Sequence, residues 1–217
     1  MQENIKIVYE FVKSELEWVC SAHDLFHIDR VYKLSKKIYD IEQKGDEEVI
    51  LYSALLHEIL DDKFFKEDIE KQKNKILELL NSLNLKKEQI EKIFHIVNNI
   101  WYWKSLSKEK IEKNIEFKIV EDADRLESLG AISIARTFAY WGRKGIPIYD
   151  PNIEVDLNLT KEKYWASTWT SINHFYEKLL KLKFLMNTDI WRKVAEERHE
   201  FLEIFLKQFL KEWEAEI

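Results

Sequence analysis

The chain has 217 residues and a formal net charge of −6, with 34 Lys/Arg and 40 Asp/Glu interspersed, so it presents no basic footprint for nucleic acid. Hydrophobic residues make up 46% and charged residues 34%, with only four glycines and two prolines, which points to a helix-rich globule rather than a disordered chain. Cys20 stands alone and excludes an internal disulfide; no apolar run is long enough to span a bilayer, and the first residues lack the basic-then-apolar order of a signal peptide, so a cytoplasmic protein with no membrane partner is expected.

Helical periodicity runs through nearly every segment. From about residue 4, Ile5, Val8, Tyr9, Val12, Leu16 and Val19 form one stripe. A second helix is predicted from Asp24, with His27, Val31, Leu34, Ile38 and Ile41 inward and Gly45 as its stop. Asp46 is a suitable cap for a third helix through Val49, Ala54 and Leu56 to His57-Glu58. Helices near 66–82 and 87–103 follow, the first with Ile69, Ile76 and Leu79 inward. Ile115–Leu129 reads as a helix that bends or breaks at Gly130 and continues from Ala131 to Trp141. Residues 142–159, with Gly145, Pro147 and Pro151, form the one long irregular stretch, and such a loop is functional or mobile. Helices over about 161–184 and 188–215 complete an all-α chain. On the last helix Trp191, Val194, Ala195, Arg198, Leu202, Phe205 and Phe209 share a face. No repeat or boundary divides the chain, so a single domain over 1–217 is expected.

The chemistry concentrates in Ala54-Leu55-Leu56-His57-Glu58-Ile59-Leu60-Asp61-Asp62. A helix that only buries an apolar face has little reason to load its end with four ionisable groups. Burying them is costly unless a cation or hydrogen-bond partners compensate, so the His-Glu pair with Asp61 nearby suggests a metal site with an acid or base beside it. Two further segments carry similar groups: His23 and His27, four apart on one helical edge, and Glu121-Asp122-Ala123-Asp124-Arg125. Sequence alone does not bring the three together, and each polar group also fits a separately satisfied position at a helix boundary. His95, His174 and His199 lack partners at informative spacing and read as structural, as do the aromatics of Trp101-Tyr102-Trp103 and of the Trp165–Trp169 stretch.

The order of these pieces resembles the HD-domain metal-dependent phosphohydrolase superfamily, and its bacterial YpgQ/YedJ-like branch most closely. The resemblance rests on His23-Asp24-Leu25-Phe26-His27 with Arg30-Val31, on Ala54-Leu55-Leu56-His57, and on Asp122-Ala123-Asp124-Arg125-Leu126. It continues through Gly130-Ala131-Ile132, Ile134-Ala135-Arg136-Thr137-Phe138, Pro147-Ile148-Tyr149-Asp150-Pro151 and Ser171-Ile172-Asn173-His174-Phe175-Tyr176-Glu177-Lys178-Leu179-Leu180, so it covers roughly residues 20–213. It implies an all-α, single-domain bundle with a metal-site core over about 20–140 and C-terminal helices over about 161–215 packed on it.

Carried onto this sequence, the resemblance makes His27, His57, Glu58 and Asp124 the metal ligands, with Asp122 as the alternative to Asp124. The family doublet is His-Asp; Glu58 departs from it by one methylene, which moves the carboxylate by about one bond length. Two imidazoles and two carboxylates suit one open-sited divalent ion, Mn²⁺, Fe²⁺, Co²⁺ or Ni²⁺, or Mg²⁺, better than a closed structural zinc. Asp61 is the candidate catalytic acid or base. His57-Glu58-Ile59-Leu60-Asp61-Asp62 is also similar to the His-Asp-x-x-Glu-Asp signature of the superfamily's guanosine tetraphosphate hydrolases. Among nearby cationic groups, His23, Arg30 and Lys104 rank above Lys63, Arg125 and Arg136 as substrate-binding residues; Trp103 and Tyr149 are candidates to stack on a base, without a sequence feature that shows it. The implied activity is hydrolysis of a nucleoside triphosphate to monophosphate and pyrophosphate. The alternatives are a catalytically silent nucleotide- or metal-binding protein, on account of Glu58, and a purely structural helical partner. Homodimerisation is left open.

Overall fold

The computed structural model describes residues 1–16, 25–61, 69–106, 110–158, 160 and 170–216. Among them are ten α-helices and one 3-10 helix, and no strand. Two compact units follow one another along the chain, Met1–Ala123 and Asp124–Ile217, and the division falls inside one continuous helix.

In the first unit, α1 (Gln2–Leu16) buries Val8, Val12 and Leu16, and α2 (Leu25–Glu42) buries His27, Ile28, Val31, Ser35 and Ile38. Ile41, expected inward, is half exposed because it lies in the last turn of α2, where the chain is already leaving the core. Gln43 and Gly45 both adopt positive φ, 49° and 87°, which ends α2 and turns the chain. Asp46 then caps α3 (Glu47–Leu56) as predicted, its Oδ1 accepting from the Glu48 and Val49 amides at 3.0 and 3.3 Å. Every residue of α3 from Val49 to Leu56 is buried, so this helix is the centre of its unit rather than an amphipathic surface helix. α1, α2 and α5 (Lys87–Asn99) pack on it.

α4 (Ile69–Ser82) buries Gln72, Ile76 and Leu80, one position on from the predicted Leu79. α5 ends at Asn99, so the predicted helix to residue 103 is interrupted; the short α6 (Tyr102–Ser105) starts afresh at Trp101. α7 (Ile115–Glu127) crosses from one unit to the next and is buried on most of its circumference.

In the second unit, Gly130 breaks the chain between α7 and α8 (Ala131–Arg143) with φ 84° and ψ −160°, a region essentially restricted to glycine. A Cβ there would also lie 3.4 Å from the Arg198 side chain. Arg198 in turn donates to the Leu126 carbonyl, satisfying the C-terminal end of α7. The predicted helix over 161–184 is divided: residues 161–169 lie outside the described residues, α9 spans Ser171–Glu177, Lys178 leaves helical geometry, and a 3-10 helix follows over Leu179–Leu185. α10 (Asp189–Trp213) buries Trp191, Ala195, His199, Leu202 and Leu206. Burial and the nearby Lys183 lower the pKa of His199, consistent with a structural, neutral imidazole.

The predicted irregular stretch begins later than expected, because α8 runs to Arg143; from 144 to 158 it is non-helical and tied to α9. The Ser171 and Ile172 amides donate to the Pro147 and Ile148 carbonyls, both at 3.0 Å, and Asn173 Nδ2 donates to Ile153 O at 3.0 Å. The buried Glu177 carboxylate accepts from the Asp156 amide at 3.0 Å. No helix among the described residues is long and apolar enough to cross a membrane.

Two stability changes follow. Asp46→Ala removes the α3 cap and is expected to cost about 1–2 kcal/mol in chemical denaturation. Gly130→Ala forces a β-carbon into a glycine-only backbone region and is expected to cost about 1–3 kcal/mol by the same measurement.

Candidate metal centre

The centre is built at the C-terminal end of α3. The α-helix stops at Leu56; His57 is its C-cap, and the next residues turn more tightly, with Ile59 N donating to Leu56 O at 3.0 Å and Asp61 N to Glu58 O at 3.2 Å. The His-Glu doublet therefore sits on a turn, not in mid-helix, and His57 and Asp61, which an unbroken helix would place on one face four residues apart, are not so related. Both residues are nonetheless buried, as are His27 and Glu58, each with 4% exposure or less.

His57 Nδ1 lies 2.8 Å from the Ala54 carbonyl, and only a protonated nitrogen can make that bond. Nδ1–H thus donates to Ala54 O, which orients the ring with Nε2 turned toward the site. That Nε2 is 3.2 Å from His27 Nε2, with the rings edge-to-face at 72° and centroids 5.2 Å apart. Glu58 Oε1 lies 3.2 Å from His27 Nε2 and 3.6 Å from His57 Nε2. His27 comes from α2, where it faces inward one turn before Arg30.

Asp124, one residue beyond Ala123 on α7, supplies a carboxylate oxygen to the same place: donor atoms of His27, His57 and Asp124 all lie within 4.8 Å of one another. Residues two apart on a helix point about 200° from each other, so Asp122 and Asp124 cannot both face the imidazoles. Asp122 is fully buried, while Asp124 is part-exposed and joins the cluster. Glu58 and Asp61 are not members of that three-residue cluster, although Glu58 touches both imidazoles.

The donor chemistry fits a divalent cation. With metal–nitrogen distances of about 2.1 Å, two imidazoles on one ion stand about 3.0 Å apart at a right angle and about 3.4 Å apart at the tetrahedral angle. The observed 3.2 Å falls between. The C-terminal end of α3 and the buried carboxylates both add negative potential there, which a cation offsets.

Of the remaining predicted site residues, His23 lies outside the described residues. Arg30 is half-buried on α2. Lys104 is on α6 with its Nζ 4.9 Å from the centre of the Trp103 ring. Arg125 donates to the Leu185 carbonyl, and Arg136 pairs with Glu127. Tyr149 packs edge-on against Phe209 and Trp213, and Trp103 is buried with 4% exposure, so neither stands out as a base platform. Two features that sequence reasoning did not find are the Lys113–Glu121 ion pair, at 2.8 Å to both carboxylate oxygens, and a hydrogen bond from Trp101 Nε1 to the His57 carbonyl at 3.3 Å. Lys113 and Glu121 stand eight apart, across the start of a helix, and Trp101 reads as core, so no local spacing signals either contact.

No family model matches the chain. It is 32% identical over 202 residues to Bacillus subtilis YpgQ, a match covering 93% of this chain and 90% of that protein. The crystal structure of YpgQ in complex with ADP superimposes with a TM-score of 0.73, 31% identity and coverage of 96% and 97% of the two chains. A structure from Lactobacillus plantarum matches with TM-score 0.87 and 32% identity over 99% of both chains. An HD-superfamily hydrolase from Bacillus thuringiensis matches at 41% identity, TM-score 0.73 and coverage of 99% and 98%. A helical chain that is 32% identical to YpgQ over 93% of its length, and that matches an HD-superfamily hydrolase end to end at 41% identity, belongs to the YpgQ-like branch of the HD superfamily of hydrolases.

Proposed function

We propose that the protein is a metal-dependent phosphohydrolase that cleaves nucleoside triphosphates to monophosphate and pyrophosphate. The observation that carries this reading is the convergence of His27, His57 and Asp124 donor atoms within 4.8 Å of one another. The ADP complex of YpgQ supports a nucleotide as the ligand class. His27, His57 and Asp124 are assigned as ligands, with Glu58 completing the set from its position against both imidazoles. A divalent ion held there, Mn²⁺, Fe²⁺, Co²⁺, Ni²⁺ or Mg²⁺, supplies Lewis-acid polarisation of a phosphoryl oxygen and acidifies water.

Asp61 is assigned to orient the attacking water and take its proton. The water oxygen bonds to the α-phosphorus, the bridging bond to the β-phosphate breaks, and pyrophosphate leaves with the electron pair. Arg30 and Lys104, with His23, are assigned to neutralise the phosphate oxygens.

Purified protein with Mn²⁺ and a panel of nucleoside triphosphates is expected to release pyrophosphate, and chelation is expected to stop it. Asp61→Asn is expected to lower kcat by about 10²- to 10⁴-fold while Mn²⁺ affinity measured by calorimetry changes little. Absence of phosphate or pyrophosphate release, with His57→Ala indistinguishable from wild type, overturns the hydrolase reading.

The second reading, a silent nucleotide- or metal-binding protein, is favoured by one observation: Glu58 occupies the family's aspartate position with Oε1 against both imidazoles. Glu58→Asp separates the two. Turnover in that variant but not in wild type supports the silent protein; turnover in wild type supports the enzyme.

A further inference from the structure

The C-terminal carbonyls of an α-helix have no donor within the helix, and at the end of α3 two of them are taken up in a way that bears on His57. The Ala54 carbonyl accepts from the His57 ring itself, at 2.8 Å. The His57 carbonyl accepts from the indole N–H of Trp101 at 3.3 Å, from a residue 44 positions later in the chain. Trp101 is brought there by α5, which packs on α3 and ends two residues before it. Its ring is held in turn, stacked on the buried Trp103 ring with centroids 5.6 Å apart and planes at 17°.

Trp101 also has a second attachment. It is the N-cap of α6, and its carbonyl accepts from the Lys104 amide at 2.9 Å. One side chain therefore fixes the backbone of His57, and the same residue's main chain begins the turn that presents Lys104.

We propose that Trp101 is a positioning residue for the metal centre, setting the place of the His57 imidazole through its backbone and coupling the His57 turn to the segment that carries Lys104. This inference rests on the metal-site reading given under Proposed function. The physical basis is that an imidazole held at Nδ1 has its orientation fixed by Ala54, but its location depends on the backbone at residue 57. Partners of this kind, one bond removed from a ligand, typically change metal affinity or activity by about 10- to 100-fold when removed.

The test uses the full chain and Mn²⁺ alone as the probe. Trp101→Phe keeps an aromatic ring and removes the N–H; benzothienylalanine incorporated at position 101 keeps the bicyclic shape and removes only the N–H. Mn²⁺ dissociation constants are measured by calorimetry, and unfolding temperatures are measured in chelator. Positioning predicts Mn²⁺ binding weakened by about tenfold in the benzothienylalanine protein, with its metal-free unfolding temperature close to wild type. Wild-type Mn²⁺ affinity in that protein overturns the inference, as does a lowered metal-free unfolding temperature accompanying the loss, which marks a purely structural bond. If Trp101→Phe does not fold, the benzothienylalanine protein alone decides. Failure of wild type itself to bind Mn²⁺ is a different result: it removes the metal-site reading and this inference with it.

Discussion

Two imidazole nitrogens 3.2 Å apart inside a protein, one held by its other nitrogen on a backbone carbonyl, need a proton or a cation between them. A proton serves one contact at a time; a divalent ion serves both and the neighbouring carboxylates as well. The requirement is sharpened by where the pair sits. α3 is buried from Val49 to its end at Leu56, and His57, Glu58 and Asp61 just beyond are buried too, at the negative end of a helix. Carboxylates are unfavourable there in the absence of a cation, and most of the surrounding architecture meets that condition. α2 delivers His27, α7 delivers Asp124, and the tight turn after Leu56 brings Glu58 against both rings.

Much of this arrangement was legible in the sequence. The Asp46 cap, the break at Gly130 and the inward positions of His27, Val31 and Ile38 on α2 depend on local chemistry: a carboxylate before a helix, a residue without a side chain, apolar spacing at helical period. The preference for Asp124 over Asp122 rests on a family pattern; in the structure it is Asp124 whose carboxylate lies with His27 and His57. What sequence did not disclose depends on long-range packing. The end of α3 at Leu56 cannot be read from periodicity, because a helix buried on every face has no polar side to mark its phase. Periodicity does not reveal the 3-10 segment over Leu179–Leu185 either, because its buried residues Leu179 and Leu182 stand three apart, a spacing that an α-helix also places on one face. Trp101 looked like core because aromatic residues usually are; its hydrogen bond depends on α5 docking on α3.

The family-like segment from Ser171 to Leu180 acquires a structural account. Its amides and the Asn173 and Glu177 side chains bond the backbone of the 147–156 stretch, so the Pro147–Pro151 and Ser171–Leu180 motifs are two halves of one hydrogen-bonded unit. A loop that composition alone marks as functional or mobile is tethered at several points. Burial raises the pKa of Glu177, and the Asp156 amide partly offsets that by bonding its charged form.

The bonds that Arg125 and Leu126 make have a consequence for the residue just before them. Arg125 grips the Leu185 carbonyl and Leu126 is gripped by Arg198, so turning the end of α7 about its own axis would break both bonds. A slip of a single residue along that helix would swing Asp124 through about 100° and carry its carboxylate away from the histidines. The aim of this side chain is thus governed by a pair of guanidinium clamps, much as a keyway fixes the angle of a shaft.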